Sequence, residues 1–420
     1  MNRPEKVVFE NQNNFRVLNQ IHLVAELQKG PQSFTALAER LSLSITAIAK
    51  IVKELCHSGL TIMVSSDPFV AKKAGRRPNY VALNKAKGVI AAIDLSSRDL
   101  TVALAELDNR ILLQDVVEDQ DVIDGESLKA LTAKLRALLA KKEVGGRPLL
   151  GICISSPGKL DGEGNYIFAH RIADYEHVNL KRYFSAEFGV DVDVYHDVKL
   201  GCIGERVFGS IPLEARNVFF AYIDNEAGSS LFLNGRLYDG AHGLAGEVND
   251  VDPIDEASRS STQGKFSTLE DIREDIKEQL KGVDSHPLKG KSRYPVEEMA
   301  QLYQAHDPYV SAALERSAQA NALALLAMAN LLDVEYLVIQ GRIEFFGEDY
   351  RKKIDDYFHA YDLNHNTAKI LYSSLKSQAN LLGALYQGTN LFYLRRFGEL
   401  TSERTGSDHY DVSQYFGDNL

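Results

Sequence analysis

Apolar positions along this chain follow a helical period first, then a strand-and-helix alternation, and give way to a polar end. Between residues 14 and 28, Phe15, Val17, Leu18, Ile21, Val24, Ala25 and Leu27 recur at mostly helical spacing. Gly30 and Pro31 stop that helix. Ser33 can cap a short second helix, FTALAERL, in which Leu37 and Leu41 are four apart. After the break SLS, Ser44 can cap a third helix, ITAIAKIVKELCHSG, ended by Gly59. Its inward stripe is Ile48, Ile51, Val52 and Leu55, while Thr46, Lys50 and Lys53 fall on another face. Two strand-like runs, TIMVSS and YVALN, bracket DPFVAKKAGRRP. Helix, tight turn, helix and a hairpin with a basic tip predict a winged helix-turn-helix over 1–86.

The body predicted over 87–398 is α/β. GVIAAIDL, TVALAEL and ILLQDVVE are successive strand candidates, and 127–142 is an amphipathic helix. RPLLGICISS is a buried strand, DVDVYHD another, and 198–208 a helix. RNVFFAYID and SSLFLNGRLYD form a hairpin-like pair, with Asn234-Gly235 as a turn signal. Helices at 268–280, 295–305 and 310–333 precede the strand YLVIQG, a helix at 348–360, the strand AKILYSS and a helix at 376–388. Antiparallel strands followed by alternating strand–helix units occur twice, which predicts a two-lobed fold with a cleft. Residues 399–420 are polar and read as an extension or a frayed end.

Composition narrows the class. The chain has 420 residues, 45% apolar and 25% charged, which is ordinary for a globular protein. No run of 18 apolar residues predicts a spanning helix, and MNRPEKVVFENQNNF has no apolar signal core, so a cytoplasmic protein is expected. Membrane, collagen-like, disulfide-rich and wholly disordered classes are excluded. Cys56, Cys153 and Cys202 lie far apart and read as reduced thiols. Charge adds a functional signal: residues 1–85 hold 12 Lys and Arg against 6 Asp and Glu, while the remaining 335 hold 35 against 52. A basic module on an acidic body fits a module that meets a polyanion. Lys72, Lys73, Arg76 and Arg77 suit phosphates or a minor groove, and Ser44, Thr46, Lys50 and Lys53 suit the major groove. The alternative is a helical protein–protein module with a solvated charge run.

A winged module with Gly75-Arg76-Arg77-Pro78, followed by SSPGKLDGEGNY, HDVKLGCIGERVFGS, LFLNGRLYDGAHGLAGE and LDVEYLVIQG in that order, resembles the ROK family of repressors and sugar kinases. The resemblance covers nearly the whole chain. It implies an actin-like, ribonuclease-H-like body, a sugar in the cleft, and a kinase or repressor activity. The winged module belongs to the repressor branch.

Family kinases carry Asp-x-Gly-Gly-Thr after the first strand, where this chain has Asp94-Leu95-Ser96-Ser97-Arg98. Their second phosphate loop, Gly-Thr-Gly-x-Gly, corresponds to Asp224-Asn225-Glu226-Ala227-Gly228. Phosphoryl transfer depends on positioning and charge stabilisation, and carboxylates in place of glycines oppose both. Kinase activity is therefore not expected, although Asp197 matches the family's general base; Asp197 then reads as an acceptor for a ligand hydroxyl, or as a helix cap. The family's zinc ligands correspond to Asp250, Ser261, Gln263 and Thr268, so no metal and no cofactor are expected. Glu247 and Glu270 match family acceptors of sugar hydroxyls. Arg171 and His196 stand where the family has Asn, and Asp250 where it has His. The added positive charge suggests an acidic or phosphorylated sugar. The alternative is that Arg171 pairs with Asp250 or Asp174 and sugar binding is lost.

The expectation is a homodimeric, ligand-responsive repressor of carbohydrate uptake or catabolism genes that binds double-stranded DNA and no membrane. A sugar kinase with an added DNA-binding module, and a repressor controlled by a partner protein, are the rivals.

Overall fold

The computed structural model describes residues 12–64, 80–161, 163–241, 243–248 and 265–405, with side chains described from 16 to 397. Lys72, Lys73, Arg76, Arg77 and Asp250 lie outside the described residues.

The N-terminal helices form where the periodicity places them: Gln12–Gln28 (α1), Phe34–Arg40 (α2) and Ile45–His57 (α3). Ser33 and Ser44 accept the backbone N–H of Ala36 and Ala47, each at 3.1 Å, so each supplies an acceptor to an otherwise unsatisfied first turn. A strand with no sequence signal, Gln32–Ser33 (β1), joins Thr61–Val64 (β2) and Tyr80–Leu83 (β3) in a sheet ordered β1-β3-β2. Two residues are too few to show a period. The pairing is antiparallel, with Thr61 opposite Leu83 and Val64 opposite Tyr80.

Two five-stranded sheets make the body. The first contains Val89–Asp94 (β4), Leu100–Ala105 (β5), Ile111–Val117 (β6), Leu149–Ser156 (β7) and, after a small hairpin of Lys159–Leu160 (β8) and Tyr166–Phe168 (β9), Val192–His196 (β10). Gly125–Leu139 (α4) and Leu180–Phe188 (α5) accompany it. The second contains Val218–Ile223 (β11), Ala227–Leu233 (β12), Arg236–Leu237 (β13), Tyr336–Gln340 (β14) and Lys369–Tyr372 (β15). Its helices are Asp197–Phe208 (α6), Leu269–Gln279 (α7), Val296–Gln304 (α8), Pro308–Leu332 (α9) and Gly347–Tyr361 (α10). The orders are β10-β7-β4-β5-β6 and β13-β12-β11-β14-β15. In both, a three-strand meander is extended by two strands beyond its first member, and the first of these pairs parallel. The predicted hairpin is β11–β12, and Asn234-Gly235 closes the next turn, β12–β13, with φ of 56° and 85°. Two successive positive φ values are what Asn-Gly tolerates.

The described chain divides into two compact units: one runs to Tyr195 and resumes at Ala384, the other spans His196 to Gly383. The expected boundary at residue 86 falls inside the first unit. Val17, Ile21, Leu23 and Val24 of α1, Leu37 of α2 and Ile48 and Leu55 of α3 share one core with Ile90 of β4, Leu107, and Tyr393, Leu394 and Phe397 of the last helix, Ala379–Thr405 (α11). α11 also runs past the expected helix end at 388. In the second unit β11 alternates cleanly: Phe219, Ala221 and Ile223 face one core, Val218 and Phe220 the other. Cys153 and Cys202 are buried, and all three cysteines are thiols. Among the described residues no helix is long and apolar enough to cross a membrane.

Candidate functional site

The second unit gathers four of the expected ligand residues around one stretch of chain, 225–229. β10 ends at His196 and α6 begins at Asp197. A carboxylate in a first helical turn meets the positive end of the helix dipole. Asp197 is nearly buried, its Oδ1 accepts the Val198 N–H at 2.8 Å, and His196 Nδ1 lies 3.7 Å from the same oxygen. β12 starts against this corner. A Cβ on Gly228 would lie 3.0 Å from Val198 Cγ2 and 3.9 Å from His196 Cε1, so the strand lies flush because residue 228 has no side chain.

The next residue positions Glu247. Ser229 Oγ donates to the Gly246 carbonyl at 2.5 Å. Gly246 has φ +100°, and a Cβ there would sit 2.4 Å from the Ser229 carbonyl oxygen. Only glycine fits, and it seats the half-buried Glu247 beside β12. Lys199 of α6 pairs with Asp239, which ties the 239–247 loop to the helix that carries Asp197.

The β11–β12 turn carries Asp224-Asn225-Glu226-Ala227-Gly228, the stretch that the resemblance sets against a phosphate loop, and its chemistry differs from the sequence expectation. Asp224 does not stand as a bare carboxylate. Arg342, just beyond β14, donates to it from Nε at 2.9 Å and Nη2 at 2.6 Å, and the Arg342 and Asn225 N–H groups add bonds at 3.2 and 2.7 Å. Burial alone would raise the Asp224 pKa, but the guanidinium and the N–H donors hold it below the ordinary carboxylate value. The outward negative charge at this turn comes from the exposed Glu226. Asp224 instead closes the turn by filling it with an internal ion pair. Neither Arg342 nor Arg273 was marked by the sequence pattern, since Arg342 meets a partner 118 positions away.

Arg273 fixes the other side. Its Nη1 donates to Asn225 Oδ1 at 2.7 Å and to Glu270 Oε2 at 3.0 Å, and its Nε to the Tyr294 carbonyl at 2.9 Å. Burial presses the Arg273 pKa down, against the Glu270 carboxylate, which raises it. Glu270 is thus held on the 224–226 turn, and the Leu269 N–H donates to the Asp224 carbonyl at 2.7 Å. Thr268, at a family zinc position, is spent as the α7 cap: its Oγ1 accepts the Asp271 N–H at 3.2 Å, and Asp271 answers to the Thr268 N–H at 2.7 Å. These residues do not fit a zinc site, and among the described residues no three His, Cys, Asp or Glu side chains cluster as metal ligands.

Arg171 lies in the first unit, and its guanidinium faces backbone carbonyls. Nη1 donates to Leu95 and Ser96, each at 3.0 Å, and Nη2 to Ser97 at 2.8 Å and Gln120 at 2.9 Å. Both Nη groups are thus taken up by backbone carbonyls. Arg171 clamps the loop after β4, the one that carries Ser96 and Ser97 where family kinases have glycines.

On α3, Thr46, Lys50 and Lys53 are exposed while Ile48, Ile51, Val52 and Leu55 are buried, as the stripe requires.

A duplicated sheet topology, a buried Asp197 carboxylate at the start of α6 and an exposed polar face on an N-terminal helix define an α/β protein with an added helical module. Among known protein families, residues 90–388 match the ROK family. The chain belongs to that family. A "Xylose repressor" of Caldicellulosiruptor bescii is 21% identical over 364 residues, covering 84% of this chain and 90% of that protein. The crystal structure of a ROK family transcriptional regulator, described as a homologue of the E. coli MLC protein, superposes with TM-score 0.73 at 20% identity, over 90% of this chain and 97% of that one. A ROK family glucokinase from Streptomyces griseus, in complex with glucose and AMPPNP, gives TM-score 0.58 at 18% identity, over 72% of this chain and 99% of that one. The kinase match leaves unmatched a larger share of this chain than the regulator match does.

Proposed function

We propose that this chain is a sugar-responsive transcriptional repressor without kinase activity, acting in the cytoplasm as a homodimer on double-stranded operator DNA. The observation that carries this reading is the pairing of an exposed Thr46–Lys50–Lys53 face on α3 with a phosphate-loop turn filled by its own Asp224–Arg342 pair. α1–α3 with the β1-β3-β2 sheet have the element order of a winged helix-turn-helix, in which α3 enters the major groove. Ser44, as the cap, sets the first turn of that helix. Lys72, Lys73, Arg76 and Arg77, in the segment joining β2 to β3, add phosphate or minor-groove contacts. In this scheme 1–86 is the DNA-binding module, 87–398 the ligand-binding and dimerisation body, and 399–420 its C-terminal extension.

Asp197, Glu247 and Glu270 supply the charge-assisted acceptors that sugar hydroxyls need, with His196 beside Asp197. Asp250 belongs to the same motif. Because the Arg171 guanidinium is committed to carbonyls, the case for an acidic or phosphorylated effector loses its main support. A neutral monosaccharide is the effector this donor–acceptor set favours. Binding one of two conformations more tightly would shift the population and so change operator affinity.

The test is selection of duplexes from random-sequence DNA, followed by titration of the enriched duplex. Binding should weaken steeply with salt. A panel of neutral and acidic sugars should contain a neutral one that raises the melting temperature and changes duplex affinity. Turnover of ATP with any hexose at an ordinary kinase rate would refute the reading.

A further inference from the structure

The first turn of α3 carries an apolar side chain that packing does not explain. Ile45 is 54% exposed at the first helical position, directly after the Ser44 cap. The rest of the helix sorts cleanly: its other isoleucines, Ile48 and Ile51, are at most 6% exposed. A single exposed aliphatic residue is ordinary on a protein surface. Ile45 differs in its neighbours. Ala49, one turn on and also exposed, is short, so the Ile45 side chain stands above the helix surface. Thr46 adds a methyl group beside it, and Lys50 and Lys53 follow on the exposed side. An apolar first turn is thereby flanked by cations, in the module whose first 85 residues carry net positive charge.

We propose that Ile45, with Ala49 below it, reads thymine 5-methyl groups in the major groove of the operator. This rests on the DNA-binding reading and deepens it. A helix that enters the major groove leads with its N-terminal residues, and those residues contact base edges. In that groove the thymine methyl is the one apolar feature that distinguishes base pairs, and aliphatic side chains are its natural partners. Ile45 has no donor or acceptor in its side chain and thus selects by methyl contact alone. Lys50 and Lys53 supply the complementary charge that holds the helix against phosphates. The half-site therefore contains at least one thymine under the first turn of α3.

Deoxyuridine substitution removes only the methyl group and leaves every hydrogen bond of the base pair intact. The selected duplex is resynthesised with each thymine replaced in turn, and the affinity of the full-length protein is measured at fixed salt. One or two replacements per half-site should weaken the wild-type protein about 3- to 6-fold, the effect of losing one buried methyl contact. Ile45→Ala should bind the thymine and uracil duplexes equally well. Lys50→Ala should bind every duplex more weakly with a shallower salt dependence, while keeping the thymine preference. A wild-type protein indifferent to every replacement, a selected half-site without thymine, or an Ile45→Ala variant that keeps the full preference would overturn the inference while leaving DNA binding standing. Failure to enrich any duplex would overturn the DNA-binding reading itself, and the inference with it. Ile45 is largely solvent-facing, so a matched melting temperature for Ile45→Ala separates lost recognition from lost folding.

Discussion

Single residues decide what chemistry the ROK body of this chain can support. The sequence showed carboxylates where the family's kinases place glycines, and that much needed only the motif order. It did not show that Asp224 is neutralised, because its partner Arg342 is remote in sequence and Gly341-Arg342 resembles any polar strand end. The consequence is measurable. Asp224→Asn leaves a partly buried guanidinium without its anion, and stability should fall by about 2–3 kcal/mol at neutral pH, less than for a fully buried pair because Arg342 reaches solvent. The sign with pH follows from the lowered Asp224 pKa: its contribution is present above the unfolded value of 3.8 and lost as pH falls below it. Urea midpoints of wild type and variant should therefore differ at pH 7 and converge as pH drops under about 4. A gap that persists or widens in acid would contradict the pairing. Arg171 carries the same lesson. A cation in a family ligand position read as a ligand contact, yet four carbonyls within 3.0 Å make it a clamp on its own loop.

Secondary-structure elements were legible where they are long and one-sided. α3 could be read residue by residue because its buried and exposed faces obey one period. α11 could not. Its predicted end at 388 falls within Gln387-Gly388-Thr389-Asn390, where Thr389 and Asn390 are buried and Gln28 Nε2 donates to Asn390 Oδ1 at 3.2 Å. Polar residues facing inward hide the helix from any hydrophobic pattern. α6 holds the converse puzzle, since Gly201 and Gly204 sit mid-helix, where each costs about 1 kcal/mol against alanine. The packing explains Gly204: a Cβ there would lie 2.1 Å from the Ala379 carbonyl oxygen, and one on Gly383 would lie 1.9 Å from that of Leu200. Backbone meets backbone where α11 begins, behind the helix that presents Asp197. Gly383→Ala should destabilise by about 1–3 kcal/mol or more and weaken sugar binding in parallel, read by denaturation and by thermal shift with the identified sugar. Unchanged values would mean that α11 can move aside at no cost.

At the scale of the whole molecule, the described N-terminal helices pack into a core shared with distant chain. They share it with Ile90, Leu107 and the far end of the chain through Tyr393, Leu394 and Phe397. Phe397→Ala, more than 330 residues from α3, should cost about 3–5 kcal/mol and abolish duplex binding before it affects the second unit's sugar-induced thermal shift. A Phe397→Ala variant with wild-type DNA affinity and stability would show that the module folds independently. The sequence by itself determined the order of the longer helices and strands, the twice-used sheet pattern, the basic first segment and the departure from the family kinases' glycines at both loops. All of these are local, and period, turn chemistry and motif spacing report on nearest neighbours along the chain. Only the tertiary structure decided that Asp224 is paired, that Arg171 is a clamp, that α11 continues past its polar middle, and that residues 196–197, 247 and 270 are each placed against the 225–229 stretch. Each of those depends on contacts between residues far apart in the chain, whose energies no local pattern contains.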